Sequence, residues 1–200
     1  MSAARRARSR TALLAATTAV AALTLSACGS GGTSGGGGDT GFVPGDNGID
    51  TVAQDKRAAA PVLSGKTIDG KQLSTADTKG KVLVINVWGS WCPPCRAEAK
   101  NFQTVYDDVK GQGVEFVGIN TRDTNTTVAK AFEKEFGITY PSLYDPTGKQ
   151  MLRFEKGTLN PQAIPSTLVI DRKGKLAARA LTPLSEETLR SMLKPVLAEK

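Results

Sequence analysis

The stretch that most constrains the fold is KVLVINVW, at positions 81–88. Apolar side chains occupy nearly every position of this run, which is typical of a β-strand that is buried on both faces. A strand that is exposed on one side would instead alternate apolar and polar residues. The run therefore favours an α/β domain in which helices cover both faces of a central sheet.

From about Ala60 onward, strand patterns alternate with helix patterns. The first predicted elements are a hairpin in LSGKTIDGKQLS that turns at Asp69-Gly70, the strand 81–88, a helix from Pro93 to about Lys110 and a strand over 114–120. They are followed by a helix over 126–136 that ends at Gly137, a short strand in ITYPSLYD, a short helix in KQMLRFEK and a hairpin over 165–181. The last predicted helix begins near Ser185, and Pro195 is expected to kink it or to end it early. This order predicts a central mixed β-sheet flanked by helices.

The N-terminal residues have the features of an export signal. Residues 1–27 contain four arginines and no acidic residue, and TALLAATTAVAALTLSA is a short apolar segment. Leu25-Ser26-Ala27-Cys28 resembles the lipobox of bacterial lipoprotein signal peptides. This resemblance implies that residues 1–27 are removed and that Cys28 is lipidated, which would anchor the protein to the extracytoplasmic face of the cell membrane. An uncleaved membrane span fits less well, because the segment is short and rich in alanine and threonine.

The residues after Cys28 are rich in glycine and almost free of large apolar side chains. We therefore predict a lipidated cysteine and flexible tether over 28–60 and a folded domain over 61–200. The net charge of +7 falls to +3 without the four N-terminal arginines, and the remaining charges have mixed signs. This distribution gives no electrostatic argument for binding nucleic acid.

Two cysteines, Cys92 and Cys95, lie between the strand 81–88 and the helix that follows it. A structural zinc ion needs about four ligands, and this chain has no histidine and only one further cysteine, so no metal site is expected. Hydrolysis by a cysteine–histidine pair is excluded for the same reason. A permanent disulfide across two residues would close a small loop and stabilise little. Dithiol–disulfide exchange is the chemistry that remains, and it requires no cofactor.

The start of a helix is a favourable position for a thiolate, because its free N–H groups and dipole stabilise negative charge. We predict that Cys92, at the exposed start, is the attacking nucleophile and that Cys95 resolves the mixed disulfide. Pro93 and Pro94 fit the first turn but remove two N–H donors, so only a moderate lowering of the Cys92 pKa is expected.

Helical spacing places Glu98 on the same apolar face as Cys95 and Phe102. Burial would raise the pKa of this carboxyl group and allow it to carry the proton that thiol exchange requires. Alternatively, Glu98 is an ordinary first-turn glutamate whose carboxylate reaches water. The spacing leaves both interpretations open.

The segment VLVINVWGSWCPPCRAE resembles the active site of the TlpA/ResA-like thiol–disulfide oxidoreductases, which belong to the AhpC/TSA-redoxin superfamily. The resemblance extends over roughly residues 61–200. It implies a thioredoxin-like fold with an N-terminal β-hairpin extension and an extra αβ segment before Pro165.

The same resemblance assigns roles to individual residues. Cys92 and Cys95 match the redox pair, and Glu98 matches the active-site glutamate of the reductases. Pro165 matches a cis-proline that binds the substrate backbone. The resemblance also implies that Ile164 and Trp91 contact substrate. Thioredoxins have a buried aspartate six residues before the first cysteine, where this chain has Asn86, so Glu98 is the carboxylate left for proton transfer.

The implied function is an extracytoplasmic, membrane-tethered protein that reduces disulfides in exported proteins, of which apocytochrome c is a typical substrate. Electrons would come from a membrane thiol conductor of the CcdA type. An oxidase with the same fold, which donates its disulfide, is the main alternative. A peroxidase fits less well, because peroxiredoxins need threonine or serine at the position of Gly89. A binding module without turnover also remains an alternative.

Overall fold

The computed structural model describes residues 40–199, in which a seven-stranded sheet is combined with a separate two-stranded hairpin. The strands are β1 (Val43–Pro44), β2 (Ile49–Thr51), β3 (Ser64–Lys66), β4 (Gln72–Ser74), β5 (Val82–Trp88), β6 (Val114–Thr121), β7 (Ser142–Asp145), β8 (Ser166–Ile170) and β9 (Leu176–Ala180), and the α-helices are α1 (Pro93–Val109), α2 (Thr126–Phe136) and α3 (Glu186–Ala198). The strand order is β1-β2-β9-β8-β5-β6-β7, with β3 and β4 forming the hairpin. The strands β5, β6 and β7 run parallel, whereas β8 is antiparallel to β5, so the predicted mixed sheet is confirmed.

Strand β5 lies in the interior of the sheet, and all of its residues are buried. Val84 packs on one face in a cluster with Phe102 of α1 and Leu189 of α3. Ile85 points to the other face and packs in a second cluster with Leu143 of β7. Apolar side chains are thus required on both faces, which explains the continuous apolar run of the sequence. Among the described residues, the second cluster includes no residue of the three α-helices, so the expectation that helices cover both faces is wrong: residues of the 151–159 segment and Leu63, before β3, pack there instead.

The helix boundaries follow from local capping chemistry. The Asn125 side chain accepts hydrogen bonds from the first amides of α2, and Gly137 ends this helix with a left-handed φ of 69°. The Ser185 hydroxyl caps α3 as predicted. The helix nevertheless continues through Pro195 to Ala198, so the expectation of an early end was wrong. Burial of Val196 against the core stabilises the last turn despite the missing N–H group.

The predicted flexible tether is wrong for residues 40–60, which are folded. Strands β1 and β2 extend the sheet, and Ile49 of β2 lies opposite Ala180 of β9. Val52 is buried, and its N–H donates to the carbonyl of Ala177 at 2.9 Å. A strand that joins an existing edge gains its hydrogen bonds from the neighbouring backbone, so it needs few apolar residues of its own.

Three N-terminal predictions lie outside the described residues: the signal peptide over 1–27, lipidation of Cys28 and the tether over 28–39. Between Thr40 and Glu199, no helix has both the length and the apolar character needed to cross a bilayer.

Candidate active site

The two cysteines form a disulfide at the junction between β5 and α1. Cys92 is the N-cap residue of α1, its sulfur lies 2.13 Å from that of Cys95, and the two Cα atoms are 5.3 Å apart. The Cys95 N–H donates to the Cys92 sulfur at 3.3 Å. Since Pro93 and Pro94 have no N–H, the Cys95 amide is the first donor of the helix that the sulfur can use.

Both cysteines are buried, with 2% of Cys92 and 1% of Cys95 exposed. The prediction that Cys92 is exposed is therefore wrong for the oxidised pair. The disulfide lies in an apolar cluster with Trp88 and Phe132, whose rings stack at 4.3 Å. Trp91, directly before the pair, is in contrast 48% exposed.

Pairing of β8 with β5 brings the predicted substrate loop to the disulfide. Ser166, the first residue of β8, lies opposite Val87 near the end of β5. The Ile164–Pro165 peptide bond that precedes it is cis, as expected from the resemblance. The Ile164 carbonyl oxygen lies 3.7 Å from the Cys92 sulfur. An extended peptide that binds along residues 164–165 would therefore lie against the reactive sulfur.

Glu98 is buried, with 2% of the residue exposed, so the interpretation in which its carboxylate reaches water is wrong. Its Oε1 accepts a hydrogen bond from the Asn86 side-chain amide, and its Oε2 accepts one from the Leu184 N–H, both at 2.9 Å. Burial raises the pKa of Glu98 from 4.5 to about 7, although the two hydrogen bonds oppose this effect. The side chain belongs to the first turns of α1, one turn after Cys95.

A second buried carboxylate, Asp123, holds the loop that carries the cysteines, and sequence reasoning missed it. It accepts hydrogen bonds from the Ser90 N–H at 3.2 Å, the Ser90 hydroxyl at 2.6 Å and the Asn120 side-chain amide at 2.5 Å. Asp123 lies two residues beyond β6, the parallel neighbour of β5. Because parallel strands end at the same edge of a sheet, this position was a usable signal in the sequence.

The residue before Asp123 also lies beside the site. The Arg122 guanidinium carbon lies 4.6 Å from the centre of the Trp91 ring, and Arg122 has a left-handed φ of 59°. Sequence reasoning missed this contact as well. The signal is the same as for Asp123: residues 91 and 122 follow the ends of the parallel strands β5 and β6, which lie at the same edge of the sheet.

Comparison with known proteins gives consistent matches. Residues 57–179 match the AhpC/TSA family. The sporulation thiol-disulfide oxidoreductase A of Bacillus subtilis (strain 168) is 31% identical over 141 residues, which cover 69% of this chain and 82% of that protein. The thiol-disulfide oxidoreductase ResA of the same organism is 30% identical over 139 residues, which cover 68% of this chain and 74% of that protein.

A solved structure of a DsbF homologue from Corynebacterium diphtheriae superposes with a TM-score of 0.67 at 33% identity. The superposition covers 76% of this chain and 96% of that chain.

Proposed function

Since the chain belongs to the AhpC/TSA family and is a thiol–disulfide oxidoreductase with a thioredoxin-like fold, we propose that it reduces disulfides in exported proteins. The direction of exchange, reduction or oxidation of the substrate, is inferred from the site. It depends on how strongly the site stabilises the thiolate of the reduced pair.

The observation that supports reduction is that Cys92 is followed by Pro93 and Pro94, which lack the N–H groups that could stabilise a Cys92 thiolate. Strong oxidants of this kind owe their potential to a stabilised reduced form, in which the attacking cysteine has a low pKa. Here the first donor of α1 is the Cys95 amide. Ionised Glu98, one turn further along α1, would destabilise a second negative charge nearby. The reduced pair is therefore expected to give up its electrons readily.

The proposed reaction proceeds in two exchange steps. The Cys92 thiolate attacks one sulfur of the substrate disulfide, and the other substrate sulfur leaves as a thiolate. The Cys95 thiol then loses its proton to Glu98, whose pKa of about 7 suits this transfer near neutral pH. The Cys95 thiolate attacks the Cys92 sulfur and releases the second substrate thiolate. The substrate gains two electrons, and Cys92–Cys95 becomes a disulfide that a dithiol donor must reduce again.

The proposal includes a location and partners. The lipobox-like residues 25–28 support lipidation of Cys28 and attachment to the outer face of the cytoplasmic membrane. There the protein would receive electrons from a membrane thiol conductor of the CcdA type and pass them to exported proteins, with the haem-binding cysteine pair of apocytochrome c as the first substrate to test. A Cys28→Ala variant should leave the membrane fraction while the isolated domain keeps its exchange activity.

The reduction potential of Cys92–Cys95 tests the direction of exchange. The fragment should begin at Thr40, because residues 40–60 are part of the fold, and it should be equilibrated with dithiothreitol or glutathione buffers. A potential near or below about −270 mV, as in thioredoxin, supports a reductase. A potential near about −120 mV would contradict the proposal and favour the oxidase alternative.

The peroxidase alternative receives no support from the geometry around Gly89. A Cβ atom at this position would lie 2.7 Å from the Trp91 indole nitrogen and 3.0 Å from the Thr121 carbonyl oxygen. The threonine or serine that a peroxidase needs at this position would therefore displace neighbouring groups of the active site.

A further inference from the structure

We propose that Arg122 and Trp91 together bind a carboxylate of the substrate protein next to its disulfide. We call this pair the Arg122–Trp91 platform. The inference rests on the proposed function, since it assumes that protein disulfides reach Cys92, and it adds a charge preference to that function: substrates with aspartate or glutamate beside the reacting cysteine.

Two large side chains are exposed beside the buried disulfide. Trp91 is 48% exposed although it directly precedes Cys92, which is 2% exposed. The Arg122 side chain lies over this indole, with its guanidinium carbon 4.6 Å from the ring centre. Stacking on an aromatic face leaves the N–H edge of a guanidinium free, and two parallel N–H groups match the two oxygens of a carboxylate.

The backbone conformation fixes the position of Arg122 beside the disulfide loop. Its φ of 59° lies in the left-handed region, which few residues other than glycine, asparagine and aspartate adopt. The next residue, Asp123, is buried and bonds to Ser90, so the two loops of the platform are joined to each other. A conformation of this kind persists only where the surrounding structure imposes it, and such positions cluster at functional sites.

The charges around the disulfide also favour an acidic substrate residue. Arg96, the other cationic side chain near the start of α1, pairs with Glu135 and lies over the ring of Phe136 at 5.0 Å. Within residues 40–199, Arg122 makes no ion pair, and it is exposed. The carboxylate of its neighbour Asp123 is directed to Ser90 and Asn120 instead. An acidic substrate residue would therefore find a positioned cation beside the disulfide, whereas a basic residue would be repelled.

The experiment uses three disulfide peptides that differ only in the residue flanking the cysteines, which is aspartate, asparagine or lysine. Their reduction by the reduced 40–200 fragment is followed by rapid mixing at low ionic strength and again at high salt. We expect the aspartate peptide to react about three- to tenfold faster than the lysine peptide, with a smaller ratio at high salt.

Substitutions then locate the preference. Arg122→Gln should bring the aspartate-to-lysine ratio to about one, and the asparagine peptide serves as the reference for any general change in rate. Arg122→Lys retains the charge without the planar fork, and it should keep part of the preference. Lys79→Gln is the matched control: it removes one exposed cation before the start of β5, whereas the cysteines follow the end of that strand.

Equal rates for the three peptides with the wild-type protein would overturn the platform while leaving the reductase function intact. The same holds if Arg122→Gln leaves the preference unchanged. If no peptide is reduced, the proposed direction fails. The same peptides, offered as dithiols to the oxidised protein, then decide on the platform through the same aspartate-to-lysine ratio.

Discussion

Replacing Glu98 with glutamine should remove a pH dependence of stability that the wild-type protein has between about pH 4.5 and about pH 7. Glutamine has nearly the shape of a protonated glutamate and cannot ionise. The Asn86 amide can turn its oxygen toward the new side-chain amide, so a hydrogen bond between residues 86 and 98 is retained. The substitution therefore removes the ionisation without opening a cavity.

The sign follows from the direction of the pKa change. Burial raises the Glu98 pKa from 4.5 to about 7, so between these values the folded protein holds a proton that the unfolded chain has released. Unfolding releases this proton, so the free energy of unfolding decreases as the pH rises through this window. Below this window Glu98 is protonated in both the folded and the unfolded state. Above it Glu98 is ionised in both states, and the decrease in the free energy of unfolding is complete. Since one pKa unit corresponds to about 1.4 kcal/mol, the loss comes to about 3 kcal/mol.

The assay is urea unfolding of the oxidised 40–200 fragment at about pH 5 and about pH 8. The wild-type protein should lose about 2 to 3 kcal/mol more between these conditions than Glu98→Gln does, because a small part of the loss has already occurred at about pH 5. Burial also raises the pKa of Glu133 to about 7, but this residue is present in both proteins and its effect cancels in the difference. Glu187→Gln, which changes an exposed glutamate, is the control and should behave as wild type. Equal pH dependence in wild type and Glu98→Gln would refute the reasoning.

Three further changes test other parts of the structure. Cys95→Ser should trap a mixed disulfide between the remaining active-site cysteine and its substrate, which is detected by mass spectrometry under non-reducing conditions. Rapid release of the substrate would contradict the assigned order of attack. Arg57→Met should lower the free energy of unfolding by about 3 kcal/mol, because it leaves the buried Asp171 carboxylate without the guanidinium that lies 2.9 Å away. Gly118→Ala should destabilise the protein by about 2 kcal/mol in urea unfolding, since its Cβ would clash with the Ser142 hydroxyl of β7. Gly111→Ala meets nothing within 4 Å and should be neutral, and equal effects of the two glycine substitutions would argue against the packing of β6 on β7.

Local chemistry in the sequence was sufficient for much of the fold. The continuous apolar run over 81–88 predicted an interior strand, and Gly137 indicated where α2 ends. The redox pair could be predicted as well, because Cys92 and Cys95 lie where a buried strand meets a helix start. In these cases the physical cause acts within a few residues of chain, through side-chain periodicity or capping hydrogen bonds.

Contacts between distant residues decided the rest. Residues 40–60 were predicted to be a tether because they have few apolar side chains. In the structure, β2 is held by backbone hydrogen bonds to β9, which is distant in the sequence. Glu98 could be placed on the apolar face of a helix, but its burial and its hydrogen bonds to Asn86 and the Leu184 amide involve distant parts of the chain, and Leu184 is 86 residues away. Sequence periodicity records which face of an element is apolar. The tertiary structure determines which groups pack against that face. It therefore also determines whether a carboxyl group there keeps its proton near neutral pH, because desolvation depends on everything packed around the group.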